Sequence, residues 1–304
     1  MPLRFAMLAS GSSGNAGWLE VGSYGLLIDA GLGPRLLAQR LSAVGTSWRQ
    51  ISAVLLTHTH GDHWKEKTFD YLLRRDIPIF CHYLHRDYLT TASYTFAKME
   101  AKGLVRNYEA GQELPFGSHL RCRPLPLRHD DRATFGFRFD ILADENRSEQ
   151  ALGYLTDLGC WDRDLAQALK EIDLLALEFN HDVAMELGSN RSPYLIERVL
   201  GDEGHLSNDQ AAALLEAILK QSAPERLKHL VQLHLSRECN QTTIAVKAAR
   251  AVRARHGARF QIHTALQSQA GPSLTLHGLR PRISAPDSYI SASPVVQPFL
   301  PGLE

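Results

Sequence analysis

Short apolar runs separated by glycine and serine turns open the chain and predict consecutive strands. These runs are Leu3 to Leu8, Trp18 to Val21 and Tyr24 to Ile28. A helical stripe of apolar residues follows, with Pro34 at a suitable first position and an end near Gly45. Ile51 to Leu56 is then an unbroken apolar run of strand length. It predicts a buried strand.

The same patterns continue towards the C-terminus. Strands are predicted at Ile77 to Cys81, Leu120 to Leu127, Thr134 to Ile141, Leu152 to Thr156, Leu174 to Leu177 and Leu230 to Leu233. Helices are predicted at Leu165 to Ile172, Asn208 to Lys220 and Thr242 to Arg255. Strands that first cluster and then alternate with helices indicate an α/β (α+β) protein, with sheets between helical layers in two similar halves.

The C-terminal segment has a different composition. Beyond residue 272 it contains many serines and the prolines Pro281, Pro286, Pro294, Pro298 and Pro301. Such a composition rarely forms helices or central strands. We therefore expect one domain over residues 1–271 and an irregular or disordered tail over residues 272–304.

Composition and charge limit the classes of function. The 304 residues include 33 lysines and arginines and 33 aspartates and glutamates, so no global positive field attracts nucleic acid or an anionic membrane. The four cysteines form no Cys-x-x-Cys pair, which disfavours a disulfide framework or a zinc knuckle. The sequence also lacks a signal-peptide pattern and an apolar span of about 18 residues. We expect a cytoplasmic protein that does not enter a membrane.

Basic residues crowd the region before the tail, and two interpretations remain open: a solvated helix face or a phosphate-binding patch. The residues are Lys220, Arg226, Lys228, Arg237, Lys247, Arg250, Arg253, Arg255 and Arg259.

The strongest chemical signal is the run His58-Thr59-His60-Gly61-Asp62-His63, directly after the predicted strand that ends at Leu56. Two imidazoles two residues apart on an extended segment can bind one metal at the usual distance of about 2.1 Å. The following aspartate and histidine can reach a second ion. Three histidines and an aspartate within six residues indicate a metal centre rather than a chance polar loop.

Three further candidate ligands stand where apolar runs stop. His129 follows Leu127, Asp157 follows Thr156, and His234 follows Leu233, with a single arginine before His129. Residues at strand ends converge when those ends share one edge of a sheet. This repeated placement, rather than any one residue, is the evidence.

The order of these residues resembles the metallo-β-lactamase fold, over about residues 3 to 265. The resemblance implies a four-layer αββα sandwich that binds two divalent metal ions. It implies that His58, His60 and His129 bind one ion, that Asp62, His63 and His234 bind the other, and that Asp157 bridges both. Histidine and carboxylate ligands suit zinc, manganese and iron alike.

Finer features of the sequence narrow the family. The zinc β-lactamases have cysteine where this chain has Asp157, which points instead to the glyoxalase, lactonase and phosphodiesterase branches. Residues 8–15, 178–182, 204–208 and 234–240 look like the corresponding segments of the YycJ (WalJ) family. Glu178, His205 and His234-Leu235-Ser236 resemble, more distantly, the motifs of ribonuclease Z. The resemblance implies a nuclease, expected to be a 5′-to-3′ exonuclease on DNA rather than RNA. No long flexible arm for tRNA is evident.

Catalytic roles can be assigned to three residues. Asp62 would lie beside the hydroxide that two metals share, where it could orient that nucleophile or accept its proton. His205, held by Glu178, is the candidate general acid for the leaving alkoxide. The alternative for His205 is a surface residue at the start of the helix that Ser207 caps.

Candidate substrate contacts are assigned with alternatives. His181 would bind substrate phosphate or support a ligand beside Asp182. Ser12 and Asn15, between glycines, would present polar groups to phosphate or simply form a tight hairpin. Arg128 and Arg237 are candidate phosphate contacts, because they are close in sequence to the predicted ligands His129 and His234. We interpret the remaining histidines, including His82 and His85, as surface or core residues.

Four other functions are weighed against the nuclease. A lactonase or a thioester hydrolase of the glyoxalase II type would direct the same hydroxide at a carbonyl, and a small or cyclic phosphodiester would need no polymer contacts. A scaffold protein without catalysis usually lacks some ligands, whereas all seven are present here. A redox di-iron protein of this fold would have a flavin-binding domain, which is not evident.

Overall fold

The computed structural model describes residues 1–144 and 147–276, and this part contains two seven-stranded sheets. The strands of the first sheet are β1 (Leu3–Ala9), β2 (Ala16–Val21), β3 (Tyr24–Ile28), β4 (Ile51–Leu55), β5 (Ile79–His82), β6 (Val105–Tyr108) and β14 (Leu274–Leu276). The strands of the second are β7 (Leu114–Phe116), β8 (Leu120–Leu127), β9 (Thr134–Asp144), β10 (Arg147–Leu155), β11 (Leu174–Glu178), β12 (His229–Leu233) and β13 (Gln261–Thr264).

The two sheets have the same plan. The first has the order β14-β1-β2-β3-β4-β5-β6, antiparallel from β14 to β3 and parallel from β3 to β6. The second has the order β13-β12-β11-β10-β9-β8-β7, parallel from β13 to β10 and antiparallel from there to β7. The two similar halves expected from the sequence are thus one sheet each.

Helices cover the outer face of each sheet. They are α1 (Pro34–Ala43), α2 (Glu66–Arg74), α3 (Tyr83–Ala92), α4 (Tyr94–Ala101), α5 (Arg163–Ala168), α6 (Val183–Leu187), α7 (Pro193–Leu200), α8 (Asn208–Lys220) and α9 (Thr242–Arg255). Within the described ranges, none of them is both long and apolar enough to cross a lipid bilayer.

Three buried apolar clusters define four layers. The central cluster joins the sheets, with Phe5 and Leu19 of the first facing Phe137 and Tyr154 of the second. A second cluster packs helices α1 to α4 on the first sheet, and a third packs α5, α8 and α9 on the second. The predicted αββα sandwich is therefore confirmed.

Several elements differ from the sequence prediction. Residues 66–101 form three helices that were not predicted, because each is short and carries few apolar residues, such as Phe69 and Leu72 of α2. The helix predicted to reach Ile172 ends at Ala168. Leu169 and Ile172 are still buried, but a turn with Glu171 at a φ of 58° supplies them. The spacing of apolar residues alone does not distinguish a continuing helix from a helix that is followed by a turn.

The end of the domain also needs correction. Leu274–Leu276 pairs antiparallel with β1, with Leu276 opposite Leu3, so the sheet extends past the predicted boundary at residue 271. The start of the predicted irregular tail is therefore a strand. The rest of that tail, residues 277–304, lies outside the described residues, and the division into domain and tail stays a prediction.

The buried side chain of His85 should make the stability of the fold sensitive to acid. His85 accepts a hydrogen bond from the backbone N–H of His82 at Nδ1 (3.3 Å), so its Nε2–H donates to the carbonyl of Ala133 (2.8 Å). Burial lowers the pKa of His85 to about 4, although the Ala133 bond opposes the shift. A histidine whose folded pKa lies below its unfolded value contributes stability that is complete above about pH 6.5 and is lost as the pH falls towards 4.

We therefore expect His85→Gln to reduce the acid sensitivity of the fold. Between pH 7 and pH 4 the wild type should lose about 3 kcal/mol more unfolding free energy than the variant. Denaturant unfolding at both pH values, on metal-free protein, measures this difference. Other titrating groups cancel in the comparison, so equal losses in the two proteins would show that His85 carries a proton in the folded state.

Candidate metal centre

The ends of several strands meet at one edge of the sandwich. Strands β4, β8, β10 and β12 all point towards this edge, and the backbone N–H of Phe135 bonds the carbonyl of Thr57 across the two sheets (3.1 Å). This topology brings together the seven predicted ligands, which are His58, His60, Asp62, His63, His129, Asp157 and His234.

The first group of three consists of His58, His60 and His129. Their ligand atoms lie within 4.8 Å of one another. His129 Nε2 is 3.3 Å from His60 Nδ1. His58 is fully buried, whereas His60 is partly exposed. The two residues of the His-x-His pair and a histidine from the second sheet thus face one point.

The second group consists of Asp62, His63 and His234. Asp62 Oδ2 lies 3.6 Å from His63 Nε2 and 3.7 Å from His234 Nε2. Asp157 stands between this group and the first. One of its oxygens is 3.3 Å from His63 Nε2 and the other is 3.4 Å from His234 Nε2, and it also clusters with His58. This arrangement is the one that the resemblance implied.

The donor set fits divalent cations. The Nε2 atoms of His58 and His234 are buried and have no hydrogen-bond partner in the part of the chain that the structure describes. The other ring nitrogen is engaged outside the cluster: His58 Nδ1 contacts Thr57 Oγ1 (2.9 Å), and His129 Nδ1 bonds the carbonyl of Gly204 (2.8 Å). Such contacts fix the imidazole so that Nε2 faces inward.

The electrostatics of the cluster also favour positive charge. Burial would lower the pKa of His63, but the carboxylates of Asp29 and Asp157 raise it to about 10. Burial would raise the pKa of Asp157, yet His234 and His63 hold it well below its usual range. A buried site that stabilises carboxylates and attracts protons in this way is suited to hold cations.

Asp29 contacts the ligand cluster, and the sequence analysis did not predict it. It is fully buried at the end of β3, and its Oδ2 accepts a hydrogen bond from His63 Nδ1 (2.8 Å). Thr57 donates to the same carboxylate from its backbone N–H (2.8 Å) and from Oγ1. The signal was available, because Asp29 follows an apolar run as Asp157 does.

Asp29→Asn should therefore weaken metal binding while leaving the chain folded. The carboxamide cannot accept from both Thr57 and the Nδ1–H of His63, so the imidazole would lose its fixed tautomer. We expect a loss of about 10-fold to 100-fold in metal affinity, measured by competition with a chelator. Asp173→Asn is the matched control, because Asp173 is also buried but pairs with Arg226 (2.6 Å). Equal affinities for wild type and Asp29→Asn would refute this role.

Backbone geometry around the cluster is unusual. Asp29, Asp157 and His234 adopt positive φ angles of 64°, 56° and 52°, a conformation that costs free energy and often occurs at functional sites. Gly31 permits close approach of the metal-binding loop, because a Cβ there would lie 1.7 Å from the carbonyl oxygen of Asp62. The strand ends are thus held in positions that an ordinary turn would not give.

His205 and Glu178 form a pair beside the cluster. Glu178 Oε1 accepts from His205 Nδ1 (2.7 Å), and Glu178 Oε2 accepts from the backbone N–H groups of Leu158 (3.1 Å) and Leu206 (3.3 Å). Burial would raise the pKa of Glu178, but His205 holds it at about 2. The carboxylate therefore stays ionised, and His205 is partly exposed and oriented.

Asn15 has a different place from the one predicted. It is buried, and its Nδ2 donates to Asp62 Oδ2 (3.0 Å) while its Oδ1 accepts from the backbone N–H of Gly11 (2.8 Å). The amide is thus oriented by the loop and holds the Asp62 carboxylate. These bonds turn the amide towards Asp62 rather than towards substrate.

Two other predicted residues, His181 and Asp182, also differ, and the place of Arg128 is compatible with its prediction. His181 is fully buried with neither ring nitrogen in a hydrogen bond among the described residues, so its side chain is not placed to touch substrate. Asp182 caps α6 through a hydrogen bond from the Met185 N–H rather than supporting a ligand. Arg128 is exposed and contacts Cys160 Sγ (3.7 Å).

A groove of about 740 Å³ adjoins the second group of ligands. Ser12, Ser236 and Arg237 line it, and Ser10 at its inner end accepts the backbone N–H of His234 (2.8 Å). Arg191 also lines it, but this guanidinium pairs with Glu186 (3.0 Å) and Glu238 (2.9 Å). The groove therefore offers serine hydroxyl groups and the exposed Arg237 to a substrate, with Glu238 also on its wall.

The chain is similar in sequence to a known family and to a known exodeoxyribonuclease. The family model described as the beta-lactamase superfamily domain matches residues 24–227, which include every predicted ligand except His234. The chain is 27% identical over 237 residues to the exodeoxyribonuclease WalJ of Streptococcus pneumoniae serotype 2, covering 78% of this chain and 83% of that protein.

A second relative and a solved structure agree with this family assignment. The exodeoxyribonuclease YycJ of Bacillus anthracis is 27% identical over 254 residues, covering 81% of this chain and 87% of that protein. The crystal structure of the metallo-beta-lactamase fold protein YhfI from Bacillus subtilis superposes with a TM-score of 0.61 at 16% identity, covering 89% of this chain and 99% of that one. The structural similarity confirms the fold.

Proposed function

The chain belongs to the beta-lactamase superfamily, and from its site we propose that it is a metal-dependent phosphodiesterase that degrades DNA as a 5′-to-3′ exonuclease. The observation that carries this proposal is the His205–Glu178 pair beside the ligand cluster. The similarity to two exodeoxyribonucleases supports DNA as the substrate. The polarity of cleavage and the preference for DNA over RNA belong to the proposal.

The proposed cofactors are two divalent ions, zinc or manganese, with iron as an alternative. His58, His60 and His129 would hold one, Asp62, His63 and His234 the other, and Asp157 both. When bound, such ions supply positive charge for the phosphate oxygens and a water of nearly neutral pKa. The protein supplies the buried, oriented donors already described.

Asp62 is proposed to accept the proton of the attacking water. Its side chain is 20% exposed, in contrast to the buried Asp157 at 3%. The amide of Asn15 holds one carboxylate oxygen in place (3.0 Å). A carboxylate that is oriented from behind and open in front suits a general base.

His205 is proposed to protonate the leaving oxygen. Departure of an alkoxide is slow without a proton donor, and Glu178 stabilises the imidazolium that would give the proton. Glu178 cannot easily do so itself, because its pKa is held at about 2. The pair therefore assigns the donor role to the partly exposed imidazole.

The serine-lined groove is the proposed site for the nucleotides next to the cleaved bond. Ser12 and Arg237 line it and are exposed, so they remain the proposed substrate contacts. Arg237 would bind phosphate as a charged donor, and the hydroxyl groups suit sugar and phosphate oxygens. Arg128, exposed beside Cys160 and adjacent in sequence to His129, also remains a proposed phosphate contact.

A choice between leaving groups tests the proposed reaction. A thiolate departs without an acid, so a thioester hydrolase would have no use for the His205–Glu178 pair. We expect the metal-loaded protein to hydrolyse bis-p-nitrophenyl phosphate and to leave a glutathione thioester intact. Hydrolysis of the thioester alone, with two metals bound, would replace the phosphodiester proposal with the carbonyl one.

A further inference from the structure

A second groove, which we call the α1–α2 groove, lies between two outer helices of the first sheet. It has a volume of about 780 Å³, and its walls include Gly33, Arg35, Lys67, Tyr71 and Arg74. None of these residues belongs to the ligand cluster. The catalytic assignments above leave the groove without a function.

The upper end of this groove adjoins the metal-binding loop. Gly33 is two residues beyond Gly31, whose backbone abuts the carbonyl of Asp62. The first turn of α2 is tied to the same segment, because Thr68 Oγ1 donates to the carbonyl of Leu32 (2.6 Å). A polymer bound at the metal centre could therefore continue into the groove.

The groove is positively charged. Arg35, Lys67 and Arg74 line it against one carboxylate, Asp70, which pairs with Arg74 (2.7 Å). Across residues 1–144 and 147–276, no carboxylate lies within 4.0 Å of the charged groups of Arg35 and Lys67. Helix α1 begins at the groove with neither a side-chain cap nor an acid in its first turn, so its N-terminus adds positive potential, whereas Glu66 offsets that of α2.

In the basic region before the tail, by contrast, four of the nine residues pair with acids. Arg226 binds Asp173, and Arg259 lies 3.3 Å from Glu225. Lys220 and Arg255 both bind Glu216. These partners offset the charge of those four residues. Of the two interpretations left open, the solvated face is therefore favoured for these four.

The groove offers charge rather than recognition of bases. The ring of Tyr71 packs against Trp48 at 4.7 Å and lies under the guanidinium of Arg75 at 4.5 Å. These contacts commit the ring to protein partners, so it is poorly placed to stack on a base. Phosphate contacts of this kind fix position without reading sequence.

We propose that the α1–α2 groove binds the phosphate backbone of the DNA strand that extends away from the metal centre. This inference rests on the proposed nuclease function. Lys67 and Arg74 are seven residues apart on α2, a rise of about 10 Å, and successive phosphates of one strand advance about 3.4 Å along a duplex. The groove thus suits roughly three nucleotides of any sequence.

The test compares two charge-neutralised double variants. Arg35→Gln/Lys67→Gln removes charge from the groove, and Lys247→Gln/Arg250→Gln removes two exposed charges from α9 as a matched control. Cleavage of a labelled 30-nucleotide DNA and of bis-p-nitrophenyl phosphate is measured over a salt series. Binding of the same DNA is measured by fluorescence anisotropy in proteins that also carry Asp62→Asn.

We expect the groove variant to raise KM and Kd for DNA on the order of tenfold and to reduce the salt slope of binding by about 1.4 to 1.8. Hydrolysis of the small substrate and the behaviour of the α9 variant should match the wild type. Wild-type DNA affinity in the groove variant, or an equal loss in the α9 variant, overturns the groove assignment alone. A wild type that neither binds nor cuts DNA overturns the proposed function as well.

Discussion

Replacing Asp62 with asparagine should reduce phosphodiester hydrolysis by at least about 10³-fold while the chain stays folded. The substitution removes the charge that faces His63 and His234 and the oxygen that would accept a proton. Because Asn15 donates to this carboxylate, the side chain should keep its position but not its chemistry.

The measurement is kcat at saturating zinc or manganese, so that weaker metal binding does not account for the loss. Asp87→Asn serves as the control, because Asp87 is an exposed aspartate on α3 in the outer helical layer. It should retain wild-type activity. A rate for Asp62→Asn within tenfold of the wild type at saturating metal would remove Asp62 from the reaction.

Replacing His205 with alanine should slow DNA cleavage by about 10²-fold to 10⁴-fold, as expected for loss of a general acid. The loss should depend on the leaving group. p-Nitrophenolate departs without a proton, so hydrolysis of bis-p-nitrophenyl phosphate should change only a few-fold. Glu178→Gln should show the same dependence, because a carboxamide cannot accept on both sides and His205 would lose the carboxylate that holds it and stabilises its charge.

Metal content separates this role from ligation. Asp157, Glu178, His205 and His234 also have ligand atoms within 4.8 Å of one another, so His205 could itself hold an ion. We expect His205→Ala to retain the wild-type metal content by elemental analysis. Loss of metal, or an equal loss of activity on both substrates, would identify His205 as a ligand instead of an acid.

The sequence predicted those features of the fold and the site that have a local pattern. The His58 to His63 run is contiguous, and His129, Asp157 and His234 each stand at or near the end of an apolar run that becomes a strand. The four-layer fold followed from the same runs and from the family resemblance. Asp29 satisfied the same rule and was overlooked.

The remaining features depend on tertiary packing. Nothing in the sequence shows that the Asn15 amide points inward to Asp62 or that His181 is fully buried. The α1–α2 groove depends on α2, whose few apolar residues did not predict a helix. Likewise, the charge of Arg226 is neutralised by Asp173, fifty-three residues away in sequence. Long-range contacts of this kind leave no local periodicity.

The most direct test of the central claim is degradation of end-labelled linear DNA and RNA by wild type and Asp62→Asn, at low salt with added zinc or manganese. Low salt matters because the chain has no net charge, so it must bind nucleic acid through local phosphate contacts, which salt weakens. We predict progressive loss of DNA from the 5′ end by the wild type and none by the variant. Failure of the metal-loaded wild type to cut either polymer would contradict the account.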